Sequence, residues 1–242
     1  MQTETDDMDG AVIESKPVPS TLTNAQIASE LQQFSGEISQ IPPIYSAIHV
    51  KGERLYNLAR SGADLAALGI EIPTRQVTIN EIALVDIALP VVTARIDCSK
   101  GTYIRSIARD LGAALGLGGT LKSLVRERSG SFTMAEAKSF EQLTELKALG
   151  REPLLAAMCP VEKALPLSQI ICNPEQISKF CMGQKVSMPL PVGHNYSESQ
   201  FVLIRQDNPE QTSTLVGQIT SIDLQQNLCV ISPEVVFSNA KT

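Results

Sequence analysis

The sequence predicts an α+β fold carrying a smaller, mostly β unit at its C-terminal end. Three observations predict it. At residues 92–98, Val92, Ala94, Ile96 and Cys98 alternate with Thr93, Arg95 and Asp97, the period-two pattern of a half-buried strand. Ile104, Ile107, Ala108, Leu111 and Leu115 then recur at helical spacing, and Gly116 suits that helix's end. From about residue 164 the character changes to short β-rich runs at 201–204, 215–222 and 228–231.

In chain order, residues 1–19 read as a loop or an incomplete strand. They hold a solvated acidic turn, Asp6-Asp7-Met8-Asp9-Gly10, which lacks the spaced ligands of a calcium loop. Thr23-Asn24-Ala25-Gln26 is a capping box that opens a helix with Ile27, Leu31 and Phe34 inward. Gln40-Ile41-Pro42-Pro43-Ile44-Tyr45-Ser46 is stiff, extended backbone, because two consecutive prolines forbid a helix there. A short helix around 55–59 ends near Gly62, and a strand from Arg75 slips phase toward Ile82 and Leu84, which predicts a bulge or a bend. Gly116-Leu117-Gly118-Gly119 reads as a turn, since neither phosphate-binding glycine pattern is present. Residues 121–130 read as a strand with Leu124, Arg126 and Arg128 on one face. That face suits either the edge of a nucleotide pocket or a salt-bridged surface.

Ser139-Phe140-Glu141-Gln142 opens another helix by the same box, with Leu143 and Leu146 inward, and 153–166 reads as a connector. Asn173-Pro174 caps and starts a helix bearing Ile177, Phe180 and Cys181. Polar turns such as the one at 206–209 separate the strands that follow.

A hydrophobic content of 43% over 242 residues supports a substantial core. No apolar run approaches the ~18 residues a membrane span needs. The acidic, polar opening does not resemble a signal peptide. Five cysteines without CxxC spacing, and only His49 and His194, argue against metal sites, disulfides and triad chemistry; a reducing cytoplasm fits. The net charge of −6 is unevenly spread: residues 41–133 hold eleven Lys and Arg against eight Asp and Glu, the one net-basic block. Such a patch permits a polyanionic partner on an acidic chain.

Within that block, Cys98-Ser99-Lys100-Gly101-Thr102-Tyr103-Ile104-Arg105 sets an ammonium, a phenol and a guanidinium at the strand-to-helix join. Thr102 is the expected N-cap, leaving Tyr103 and Arg105 in the first helical turn, where free N–H groups favour an anion. The junction suits a carboxylate or a phosphate; an ordinary turn with solvated charges is the plainer reading.

Six segments in this order and spacing resemble the bacterial TruB-type tRNA pseudouridine synthases. They are 3–10, 40–47, 54–62, 75–79, 98–112 and 124–130. The resemblance implies a pseudouridine-synthase-type mixed sheet with helices at 1–160 and a PUA-like RNA-binding domain at 164–240. It implies isomerisation of the T-arm uridine of tRNA at position 55, with no cofactor and no metal, by a cytoplasmic monomer. By the same resemblance, Tyr103 acts on the base and Arg105 pairs with the catalytic carboxylate. Leu124 packs against the uracil, with Arg126, Tyr45 and Lys100 as further substrate contacts. The family carries its nucleophilic aspartate in a Gly-x-Leu-Asp-x-x-Ala-x-Gly motif, and this sequence contains no such motif. The chain is therefore expected to lack an N-terminal portion of the catalytic domain. The alternative is a non-catalytic tRNA-binding protein of the same descent.

Overall fold

The computed structural model describes residues 1–62, 67–190, 195–206 and 214–237. The chain divides into two compact units, Met1–Val125 and Arg126–Thr242.

The first unit opens with a hairpin of β1 (Gln2–Thr3) and β2 (Val12–Glu14), so of the two readings of this segment, loop or incomplete strand, short paired strands are what forms. Helix α1 (Asn24–Gln32) starts at the expected capping box: Thr23 accepts from the Gln26 N–H, and Gln26 accepts in return from the Thr23 N–H. Then come β3 (Gly36–Gln40), the small pair β4 (His49–Val50) and β5 (Glu53–Arg54), and α2 (Leu55–Arg60). Two long strands follow, β6 (Arg75–Ala88) and β7 (Val91–Cys98), leading into α3 (Ile104–Ala114).

An antiparallel sheet of order β3-β6-β7 forms the frame. Its register shifts between Ile79 and Glu81 and again between Leu84 and Asp86, where the phase slip in the sequence predicts a bulge. Leu31 of α1, Ile107 of α3, and Ile79 and Ile82 of β6 form the buried centre, with Phe34, Ile96, Ile104 and Leu111 packed around it. Burying those side chains, at roughly 25 cal/mol per Å² of apolar area, fixes α3 on the sheet. Beyond α3, Gly116 takes φ +71 and the chain folds back on the helix. A Cβ on Gly112 would lie 2.1 Å from the Gly119 nitrogen, so the glycines here serve close backbone approach. The N–H groups of Leu117 and Gly118 both bond the Gly112 carbonyl, at 3.0 Å each.

The expected strand over 121–130 is not formed. Leu121 makes a single bridge to Asp7, residues 122–127 pair with nothing as strand, and only β8 (Arg128–Ser129) bonds to β9 (Phe132–Thr133). Alternation is insufficient where no neighbouring strand supplies hydrogen-bond partners. The single-face arrangement of Leu124, Arg126 and Arg128 therefore falls with it.

The second unit continues with α4 (Phe140–Ala148), α5 (Arg151–Ala156) and α6 (Val161–Ala164), so the stretch read as a connector is partly helical. Leu143 and Leu146 are only half-buried, and none of the α4 residues is fully buried. Then come β10 (Gln169–Cys172), α7 (Pro174–Cys181), β11 (Val186–Pro189), β12 (Phe201–Gln206), β13 (Thr214–Asp223) and β14 (Leu228–Phe237). The sheet order is β10-β12-β13-β14-β11, parallel only between β10 and β12. Phe180 of α7, fully buried, anchors the apolar centre with Ile170, Val202, Leu215 and Ile231. Cys181, one residue on, is exposed. Residues 207–209 of the expected polar turn, and His194, lie outside the described residues. No helix among the described residues is long and apolar enough to cross a membrane.

Candidate functional site

Strand β7 delivers the chain into α3 through a tight turn at 99–102. The Ser99 N–H donates to the Thr78 carbonyl at 2.8 Å, and the Ser99 hydroxyl accepts from the Thr78 N–H at 3.0 Å. Gly101, at φ +86, makes the corner. Thr102 is not the cap: its hydroxyl donates back to the Ser99 carbonyl at 2.9 Å, inside the turn. The N-cap is Tyr103, with extended φ −99 and ψ 107 and no capping bond from its own side chain. Its N–H donates instead to the side-chain oxygen of Gln40, at 2.8 Å, and its carbonyl accepts from the Gln40 amide at 3.1 Å.

Three further α3 side chains reach other segments. The Ser106 hydroxyl, fully buried, donates to the Ile41 carbonyl at 2.9 Å. Arg105 donates through Nη1 to the Thr5 carbonyl at 3.0 Å and to the Asp7 carboxylate at 3.1 Å, and through Nη2 to the Tyr45 carbonyl at 2.8 Å. Arg109, one turn on, pairs with Asp6 at 2.9 Å and Asp110 at 2.8 Å, and bonds the Ile41 carbonyl at 2.8 Å. The spacing of four residues puts both guanidinium groups on one helix face. Thus α3 binds both the 3–7 segment and the proline-stiffened 40–45 segment. The Thr3 hydroxyl, 2.8 Å from that of Thr120, and the Leu121 N–H on the Asp6 carbonyl, 2.9 Å, tie 3–7 down from the other side.

Electrostatics here follow from partial burial. Burial lifts the Asp6 carboxyl above its ordinary value, against the pull of Arg109 and Arg105. The Arg105–Asp7 pair is more open, with side-chain exposures of 24% and 26%. Arg105 has five N–H donors and spends three. Its Nε–H and second Nη2 hydrogen take no partner among the described residues, so the guanidinium holds two segments and still presents donors to a ligand. Elsewhere, burial, then the neighbouring Cys229, pushes the Cys172 thiol up to about 12, leaving it a protonated core group rather than a nucleophile.

Of the residues singled out from sequence, Tyr103 and Arg105 stand together at the start of α3, Tyr103 half-exposed and Arg105 tied to both loops. Tyr45 contributes its carbonyl to that same cluster. Lys100 is exposed in the turn before α3. Leu124 is 54% exposed near the end of the first unit; Arg126 is exposed and opens the second. Sequence reasoning missed Gln40, Asp6, Asp7, Ser106 and Arg109. A usable signal existed: two adjacent acids, Asp6 and Asp7, and two arginines four apart on a helix are complementary in charge and count. The acidic turn read as solvated is a pair of arginine ligands, with Asp6 only 8% exposed. Among the described residues no group of three or more His, Cys, Asp and Glu is placed to hold a metal ion.

Comparison with known proteins bears on this arrangement. Residues 1–104 match the model of the TruB family pseudouridylate synthase N-terminal domain, and residues 105–166 that of the tRNA pseudouridylate synthase B C-terminal domain. The chain is 40% identical over 195 residues to tRNA pseudouridine synthase B of Trichormus variabilis, covering 78% of this chain and 63% of that protein. It is 41% identical over 198 residues to the Synechocystis sp. protein of the same name, covering 80% and 64%. The chain thus spans a little under two thirds of the length of these curated relatives. Its fold is similar to chains in the crystal structure of a Cbf5-Nop10-Gar1 complex (TM-score 0.64, 22% identity, 93% of this chain and 64% of that one). It is similar too to one in an H/ACA RNP bound to a substrate RNA containing 2'-deoxyuridine (TM-score 0.64, 20% identity, 91% and 63%).

Proposed function

Because this chain belongs to the TruB pseudouridylate synthase family, we propose that it serves the isomerisation of the T-arm uridine of tRNA at position 55 to pseudouridine. The observation that carries this reading is Arg105, which ties two loops beside Tyr103 and keeps free donors at a solvent-reachable helix start. The reaction breaks the bond from ribose C1′ to uracil N1, rotates the base, joins C1′ to C5, moves a proton off C5 and returns one to N1. Atoms balance without any redox partner, so no cofactor or metal is called for.

Each group then has a task. The base must leave the RNA loop to be reached, and unpaired loop bases are the cheapest to swing out. Tyr103 offers an aromatic face for the base and a phenol near its C5 edge. Arg105 is assigned to orient the nucleophilic carboxylate, and its ion pair with Asp7 at 3.1 Å supports a guanidinium suited to that partner. Leu124 and Arg126 are assigned to the base, Tyr45 and Lys100 to the RNA around it. The 164–240 region is assigned to RNA binding, and the protein to work as a cytoplasmic monomer.

The test uses a T-arm stem-loop carrying 5-tritiated uridine. The chain is expected to bind it. Tritium release is expected once the chain is joined to a segment bearing the family's Gly-x-Leu-Asp-x-x-Ala-x-Gly motif, and to vanish in the Tyr103→Ala and Arg105→Ala versions of that protein. Binding without release by the joined protein would favour the non-catalytic RNA-binding reading, and failure to bind would remove both.

A further inference from the structure

Gln40 is the last residue of β3, only 2% exposed, and among the described residues its side chain is the one that bonds both backbone polar atoms of Tyr103. We infer that Gln40 is the positioning residue for Tyr103, its carboxamide standing in for a neighbouring strand and locking the tyrosine's backbone to the sheet. The inference deepens the proposed function and rests on the role given there to Tyr103.

The geometry carries it in three steps. Tyr103 sits where no regular element holds it: β7 ends at Cys98, α3 begins at Ile104, and Tyr103 keeps extended angles between them. An extended residue held in a sheet gives its N–H and C=O to a partner strand. At Tyr103 one carboxamide does both, its oxygen accepting at 2.8 Å and its nitrogen donating at 3.1 Å. The helix itself uses the Tyr103 carbonyl, through the N–H groups of Ser106 and Ile107, but has no acceptor for the Tyr103 N–H. Gln40 is in turn immobile. Its backbone is paired in register with Arg75 of β6, and Pro42 and Pro43 stiffen the chain just beyond it. Among the described residues, Gln40 is the side chain that reaches the Tyr103 backbone from the sheet, while Ser99 on Thr78 and Ser106 on the Ile41 carbonyl tie the turn before it and the helix after it. A shift of the Cα of Tyr103 is passed on to its ring, and misplacement of a reacting group by about 1 Å costs on the order of 10²-fold in rate.

Only a group that accepts and donates at once can replace the carboxamide. A protonated carboxylic acid has that pattern; a carboxylate has lost the donor. Gln40→Glu thus keeps the acceptor for the Tyr103 N–H at any pH and the donor to the Tyr103 carbonyl only when protonated. Burial and the Tyr103 carbonyl favour its neutral form, while Arg105 and Arg109 of α3 and Arg75 of β6 oppose that; Arg105 and Arg109 already hold Asp7 and Asp6. Gln40→Met matches the shape and removes both hydrogen bonds.

The experiment uses the full chain with 15N-tyrosine, which gives one amide signal for each of its four tyrosines. Exchange of the Tyr103 amide is expected to be about tenfold faster in Gln40→Met than in wild type, the ratio that loss of one hydrogen bond sets. Gln40→Glu keeps the acceptor in either protonation state, so its Tyr103 amide should stay about as protected as in wild type, corrected for intrinsic exchange. Equal protection of Tyr103 in wild type and Gln40→Met would overturn the inference, as would a Gln40→Glu variant whose Tyr103 amide exchanges as fast as in Gln40→Met. Should Gln40→Met fail to fold, Gln40→Leu, which also lacks the acceptor, takes its place with the same expectation. Titration with T-arm stem-loop RNA separates the two readings. The Tyr103 signal should move in wild type and in Gln40→Glu, with a response at least twofold smaller in Gln40→Met. An RNA that leaves the wild-type signal unmoved contradicts the functional reading of Tyr103 but not its attachment to Gln40.

Discussion

The starts of α7 and α3 solve the same problem in opposite ways. At α7, Asn173 accepts from the Gln176 N–H at 2.9 Å, Gln176 accepts in return from the Asn173 N–H at 2.9 Å, and Pro174 occupies the first turn, where no N–H is needed. Four adjacent residues complete the cap. At α3 the N-cap, Tyr103, has no capping bond of its own, and its backbone is held by Gln40, 63 positions away in sequence. The first helix start is built for stability and is independent of its surroundings. The second sets a half-buried phenol beside a guanidinium bound to two loops, and draws its rigidity from the sheet and from those loops. A residue that caps its own helix is committed to that role; Tyr103, held through its backbone, keeps its side chain free.

The largest expected effect breaks the α3 side. Arg105→Ala removes bonds to Thr5, Asp7 and Tyr45 and is expected to lower turnover of the joined protein by about 10³-fold. T-arm affinity, measured by filter binding, should stay within about threefold, since orienting a carboxylate matters to the reaction more than to docking. Next is Gln40→Met, which takes the acceptor from the Tyr103 N–H at a position where Gln40 itself is buried, and is expected to cost about 1–3 kcal/mol in urea unfolding. Asn173→Ala, at the self-contained cap, should cost about 1 kcal/mol and leave RNA binding unchanged. Thr102→Ala sharpens the contrast further. Because Thr102 caps nothing, its loss should cost under about 0.5 kcal/mol, whereas a capping role would bring it level with Asn173→Ala.

The smallest effect concerns pH. Burial lifts Asp6 above the ordinary carboxylate range, so the folded state binds its proton more readily than the unfolded state. That contribution favours the fold as pH falls and fades as pH rises through the raised value. Asp6→Asn removes it, and the variant should lose stability more steeply on acidification than wild type, as read from urea midpoints across the acid range.

The same contrast explains what the sequence discloses. The capping boxes at Thr23, Ser139 and Asn173 are legible because cap and partner lie three residues apart, and the β6 bulge is legible because apolar phase is a local property. The strand and helix around the site were legible for the same reason, and the resemblance supplied roles for Tyr103 and Arg105. What failed was non-local. A hydroxyl at Thr102 looks like a cap until Gln40 takes the next N–H. Likewise, Asp6 and Asp7 look solvated until α3 brings two arginines to them, and 121–127 looks like a strand until no partner strand arrives. Local patterns give each segment its form, whereas the choice of partner depends on the assembled sheet.

The central claim is that the start of α3 receives a uridine held in RNA. A T-arm stem-loop with 4-thiouridine at the target position, bound to the full chain and irradiated, tests it directly by peptide mapping of the crosslink. The crosslink is expected within residues 101–105, centred on Tyr103 and lost in Tyr103→Ala with binding retained. A crosslink confined to residues 164–240, with none at the start of α3, would contradict the claim.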